Sequence, residues 1–286
     1  MEASENALKA ALENGKITKS SYKTYKKYLA LFHNRNNSKP VTPESAKEYI
    51  DSFYEDKAKN TRRLLTMILN TYVLLPSNQE RLRVPPKDRG KKTMKNHFTN
   101  REVAGLIKEA KANNFIDLYH CLNIAASTGM RINEILSLTC EDIITACTKY
   151  VRDVSPIEIT VLHGKGDKMR NIPVCQKDSE YFLQELLPLA LTKPFESKIF
   201  PCGYDNFRRQ LKFVMETIGI YDNKQMGFHG LRSHFCTQRY GQMKKQNIQF
   251  AEKVVQHLLG HSDYATTKGY IRPEADAVLD YALSLR

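Results

Sequence analysis

The sequence predicts a mainly α-helical protein in two domains: an all-helical N-terminal domain, then a mixed α+β, mostly helical domain with a small antiparallel sheet. Three observations carry that prediction. The chain has 286 residues, more than one ordinary domain needs. Apolar residues recur at helical spacing through most of it. Only residues 156–174 switch to strand-like patterning around a glycine turn.

The elements follow in order. Within 1–84, Tyr22, Tyr25, Tyr28, Leu29 and Phe32 keep an i, i+3, i+4 pattern. Tyrosines at that spacing are core formers first and DNA-backbone contacts second. "TPESAKEYIDSFY" (42–54) opens a helix with Thr42 as cap and Pro43 in the first turn. "NTRRLLTMILNTYVLL" (60–75) is an apolar helix stopped by Pro76. Residues 81–98 hold two adjacent prolines and seven Lys or Arg with almost no periodicity. That is a linker, placed at 85–97 between domains 1–84 and 98–286. Its charge suggests that Lys87, Arg89, Lys91, Lys92 and Lys95 lie along DNA. "TNREVAGLIKEAKA" (99–112) starts the second domain with a capping box, Thr99 to Glu102. "DLYHCLNIAASTGM" continues it as a helix. "IEITVL", "GKGDK" and "MRNIPV" read as strand, turn and strand. Helices resume at "YDNFRRQLKFVMETIG" and run to the end. There Ala275, Val278, Leu279, Ala282 and Leu283 form an apolar stripe after Pro273.

The net charge is +13 and the pI about 9.3. The surplus is uneven: residues 1–95 carry 20 Lys and Arg against 10 Asp and Glu, the remainder 24 against 21. A polyanionic partner follows, nucleic acid ahead of an anionic membrane surface. There is no apolar run of the roughly 18 residues a membrane span needs. The polar start "MEASENALKA" is not a secretory signal. The six cysteines form no CxxC pair, which argues against a zinc or redox motif, and scattered thiols fit a reducing cytosol.

Four motifs carry candidate chemistry. In "STGMRINEILSL" (127–138), Arg131 follows a glycine turn and Glu134 lies one helical turn on. Alone, R-x-x-E reads as a surface ion pair. "HGKGDKMRNIPV" puts Lys165 between glycines at a hairpin tip, where it can reach a phosphate or a leaving oxygen. No P-loop pattern accompanies it, so ATP use is unsupported. "HGLRSHF" (229–235) places His229 and Arg232 on one helix face, and the guanidinium fork suits two phosphate oxygens. "LLGHSDYATTKGY" (258–270) offers His261 and then Tyr270. A phenol becomes a nucleophile where neighbouring cations favour its anion. Singly, each motif has a bland explanation: an exposed turn lysine, a capped histidine, a core tyrosine.

Together and in this order they resemble the tyrosine recombinase family, the phage integrases and chromosome-dimer resolvases. The resemblance runs from about residue 98 to 273. It implies that Arg131 and Arg232 clamp the scissile phosphate and that His229 and His261 donate hydrogen bonds to it. It further implies that Lys165 protonates the leaving 5′-oxygen, that Glu134 orients its neighbours, and that Tyr270 attacks. The expected enzyme is a site-specific DNA recombinase of the integrase kind, working through a 3′-phosphotyrosine. It needs no metal and no ATP, so no cofactor is expected. The implied partners are double-stranded DNA recombination sites, a homotetramer on that DNA, and accessory DNA-bending or directionality proteins, in the cytoplasm on the nucleoid.

Alternatives of other classes are a type IB topoisomerase-like or hairpin-resolvase activity, and a non-catalytic DNA-binding regulator. A metal-dependent nuclease lacks clustered carboxylates at ligand spacing. The sequence departs from the family in three places. Ser233 stands where many members have a second histidine, with His234 following. The stretch from Arg232 to His261 is longer than usual, predicting a longer helix or loop. No arm-binding domain is expected ahead of Ala10. The tail stripe leaves open whether it docks on its own domain or on a neighbouring protomer.

Overall fold

A computed structural model of the chain describes residues 2–36, 39–88, 97–162, 169–221, 227–261 and 264–268. The chain divides into two compact units, Met1–Lys92 and Thr93–Arg286. No described helix is long and apolar enough to cross a membrane.

The first unit is helical: α1 (Glu2–Glu13), α2 (Lys19–Arg35), α3 (Pro43–Tyr54) and α4 (Lys59–Leu69), which runs into a π-helical turn at Asn70–Leu74. Thr18 caps α2 by accepting from Ser21 N–H. Thr42 and Ser45 form a reciprocal capping box with Pro43 in the first turn of α3. Leu29 and Phe32 are buried, and Tyr22, Tyr25 and Tyr28 pack against the same core. The tyrosine pattern is therefore a core stripe. Residues 82–88 lack periodicity but are pinned to α4. Asn70 exchanges two hydrogen bonds with the backbone of Leu82, and Asn60 does the same with Asp88. The segment read as the start of a linker is thus attached to this unit through side-chain amides, whose hydrogen bonds leave no periodic trace.

The second unit begins with α5 (Asn100–Ala112), opened by the Thr99–Glu102 capping box, and α6 (Ile116–Thr128). The short α7 (Ile132–Ile135) and α8 (Cys140–Thr148) follow. β1 (Glu158–Val161) and β2 (Arg170–Pro173) pair antiparallel, with Val161 opposite Arg170. Next come α9 (Gln176–Tyr181), a π-helical turn at Phe182–Leu186, α10 (Leu187–Leu191) and α11 (Tyr204–Thr217). The stretch from Arg232 to His261 is filled by α12 (Phe228–Lys245), a turn, and α13 (Ala251–Leu259), with α14 (Tyr264–Lys268) beyond. The N-terminal half of α12 is buried almost all round. It packs on α6 and α13, which places HGLRSHF inside the unit. Its polar atoms are met from several sides. His234 Nδ1 lies 2.7 Å from the Phe98 carbonyl oxygen, and Arg239 pairs with Asp178 at 2.8 Å. His234, the histidine displaced by one position, thus points inward, and burial lowers its pKa.

Candidate active site

Two left-handed glycines bring the motifs together. Gly129 ends α6 with φ +64°, and a Cβ there would run into the ring of Phe235 on α12. Only glycine satisfies both the torsion and the close approach. The turn delivers Arg131 to the N-cap position of α7. Its backbone N–H donates to Glu134 Oε2 and its Nη1 to Oε1, both at 2.8 Å. Gly260 ends α13 with φ +61°, and a Cβ there would lie 2.9 Å from Arg170 Cδ. This second turn delivers His261.

The last carbonyls of a helix lack partners within it, and two arginines use those of α13. Arg232 is 2% exposed. Its Nη1 donates to the Gly129 carbonyl at 2.7 Å and its Nη2 to the Leu259 carbonyl. The same Nη2 stands 3.1 Å from His261 Nε2. A guanidinium only donates, so Nε2 accepts and the ring hydrogen sits on Nδ1. From there it is donated to Oγ1 of the buried Thr267 at 3.0 Å. Arg170, at the start of β2, donates from Nε to the Leu258 carbonyl at 3.3 Å.

Glu134 joins these parts. It is 6% exposed and receives a two-pronged bond from Arg170, Nη1 to Oε1 at 3.1 Å and Nη2 to Oε2 at 2.7 Å. Burial by itself pushes its pKa up. The hydrogen bonds from Arg170 and from Arg131 outweigh that and hold the carboxyl at about 2.

Of the residues singled out in the sequence, Arg131 and Glu134 are thus linked through Arg170 to the Leu258 carbonyl, and Arg232 binds the neighbouring Leu259 carbonyl and contacts His261 directly. His229 lies one turn ahead of Arg232 on α12, at an exposed position. Lys87 is exposed within the first unit. Lys165, Tyr270, Arg89, Lys91, Lys92, Lys95 and the tail stripe lie outside the described residues. Two members of the network, Arg170 and Thr267, were not singled out. For Arg170 a signal existed: it shares the inward face of β2 with Ile172, two residues on.

The chain matches the phage integrase family over residues 96–276. It is 30% identical over 158 residues to tyrosine recombinase XerD of Vibrio vulnificus (strain YJ016), a match covering 52% of this chain and 46% of that protein. The chain thus spans about half the length of the curated relatives it matches. Among solved structures, XerH site-specific recombinase bound to its difH substrate aligns with TM-score 0.62 and 20% identity, covering 92% of this chain and 78% of that one. A lambda integrase dimer bound to a core site aligns with TM-score 0.64 and 14% identity, covering 96% of each. At such identities the structural likeness shows the fold, and it is the mainly helical fold with a small antiparallel sheet.

Proposed function

Because the chain belongs to the phage integrase family, we propose that it cuts and rejoins double-stranded DNA at specific sites through a covalent 3′-phosphotyrosyl intermediate. The observation that carries this is the fixing of Arg232, His261 and the Arg131 turn by the carbonyls of Gly129 and Leu259 and by Arg232 itself. Two cations and an imidazole preset in a partly buried place suit one phosphodiester, whose transition state carries more negative charge than its ground state.

The roles follow. Tyr270 attacks phosphorus, its phenol proton passing to water as the bond to the 5′-oxygen breaks, and the Lys165 ammonium gives that oxygen a proton. Arg131 and Arg232 hold the non-bridging oxygens. A phosphate oxygen arriving at Arg232 replaces His261 Nε2 as the acceptor. His261 then donates once Nε2 has taken a proton from water, keeping its Nδ1 hydrogen on Thr267. His229, at the exposed start of α12, donates from the solvent side. Glu134 keeps Arg131 oriented. The bond energy stays in the phosphotyrosyl link, so the sequence of steps needs neither ATP nor a metal ion. Lys87, Arg89, Lys91, Lys92 and Lys95 track the DNA backbone, and strand exchange between two sites calls for four copies of the chain.

The test is covalent capture from a pool of nicked duplexes with randomised flanks. The unaltered chain should form an adduct in EDTA, and Tyr270→Phe should form none while still binding the recovered duplex. An adduct made by the Tyr270→Phe variant would show that another residue attacks. Site-independent relaxation of supercoiled plasmid, with no site recovered, would instead favour topoisomerase-like action.

A further inference from the structure

We propose that Arg170 is a positioning residue, which from the first place in β2 holds both the Arg131–Glu134 pair and the Leu258–His261 turn where they can meet one phosphate. The inference rests on the recombinase reading above. Arg170 is 8% exposed, and a buried guanidinium is costly unless its donors are used. Here Nε, Nη1 and Nη2 all donate, and to two different motifs. One end fixes the carboxylate that holds Arg131. The other fixes the carbonyl next to the one that holds Arg232.

Shape points the same way. The Arg170 side chain lies so close over Gly260 that no Cβ fits between them, so the turn presenting His261 is moulded on it. Arg170 also stands opposite Val161, the last residue of β1. The connection between these two residues is the one that carries Lys165. The strand ends that support the proton donor are thus tied to the groups that clamp the phosphate.

The charges around Glu134 explain why the cation matters. Arg131 faces it from α7 and Arg170 from β2, while Glu141 and Asp142 of α8 line the same cleft. Without Arg170, burial pushes Glu134 towards its protonated form and only the bonds from Arg131 oppose it. A protonated carboxyl holds Arg131 less firmly than a carboxylate does.

The experiment compares the unaltered chain, Arg170→Met, Glu134→Gln and the double variant on the nicked duplex recovered by capture. Single-turnover adduct formation is followed against pH, and thermal midpoints are followed in parallel. Arg170→Met should bind the duplex normally and form adduct about 10–100-fold more slowly, the usual scale when the outer partner of a site residue is removed. Its rate should fall further as pH drops, in a range where the unaltered chain stays flat. The double variant should lose that acid limb and regain part of the rate, because a neutral amide needs no cation. It should still be slower than Glu134→Gln, because the Leu258 anchor is gone. If Arg170→Met does not fold, this last pair decides: equal rates overturn the proposal. An unchanged rate in Arg170→Met overturns it, and so does a loss with no acid limb and no recovery in the double variant. Failure of the unaltered chain to form any adduct is a different result, one that overturns the recombinase reading and Arg170's role with it.

Discussion

The two units treat charge in opposite ways. Met1–Lys92 holds most of the surplus positive charge, yet among its described residues the buried polar ones are all neutral: Ser4, Asn36, Thr66 and Asn70. Thr93–Arg286 is much nearer neutrality, yet it buries Glu134, Arg170, Arg232 and Arg239. Surface charge stays hydrated and supplies attraction that salt can screen. Buried charge must be matched by partners in fixed geometry before any ligand arrives. Under the proposed function, net charge marks the part of the chain that holds DNA, and buried charge the part that acts on it.

The largest expected effect comes from the buried side. Arg232→Met should reduce adduct formation about 10²–10³-fold, the scale for losing one preset donor to a transition state. It should also lower stability, by about 1–3 kcal/mol for each carbonyl left without its donor. Capture assays and denaturant midpoints check both, and a variant within tenfold of the unaltered rate would break the contrast between the units.

Glu134 gives the next effect. Its carboxyl sits at about 2 in the folded chain against an ordinary 4.5. A depressed carboxyl contributes stability that is complete above 4.5 and is lost as pH falls towards 2. The size is about 3 kcal/mol. The unfolding free energy of Glu134→Gln, measured beside the unaltered chain, should lack this acid-dependent component. Parallel curves through that window would mean the carboxyl is not held down.

The smaller effects belong to the basic unit. Lys23, Lys26 and Lys27 are exposed on α2. Replacing all three with Gln should flatten the dependence of log affinity on log salt by about 0.9 for each phosphate contact removed. An unchanged slope would make α2 ordinary surface. Their effect on stability should stay within about 0.5 kcal/mol per site, which thermal melts can read.

Much of this architecture was legible in the sequence because its signals are local. Thr42–Pro43, Thr99–Glu102 and the two strands around GKGDK each announce themselves within a few residues, and all three stand in the structure. The order of the motifs was legible too. The surroundings of Glu134 were not. Spacing shows that Arg131 and Glu134 can touch, but not that Arg170, from 36 residues away on a strand, bonds the same carboxylate. The pairing of His261 with Thr267 escaped for a different reason: a threonine among "YATTK" has no pattern that separates a hydroxyl partnering an imidazole from a helix surface residue.

Gly129 and Gly260 bear on how this protein can change over time. Each faces two independent vetoes, one torsional and one steric, and each stands within two residues of a side chain in the phosphate network. A saturation scan should show two intolerant columns at 129 and 260, with alanine rejected as firmly as leucine. Gly15 is left-handed as well but has open space around it, and should accept asparagine. Shrinking Arg170 would lift only the steric veto at 260, and shrinking Phe235 only that at 129, while the left-handed torsion would still stand against a side chain. Each single substitution on the way carries a clash or a strained torsion. The four partners are thus coupled in sequence space, each glycine to the side chain packed against it.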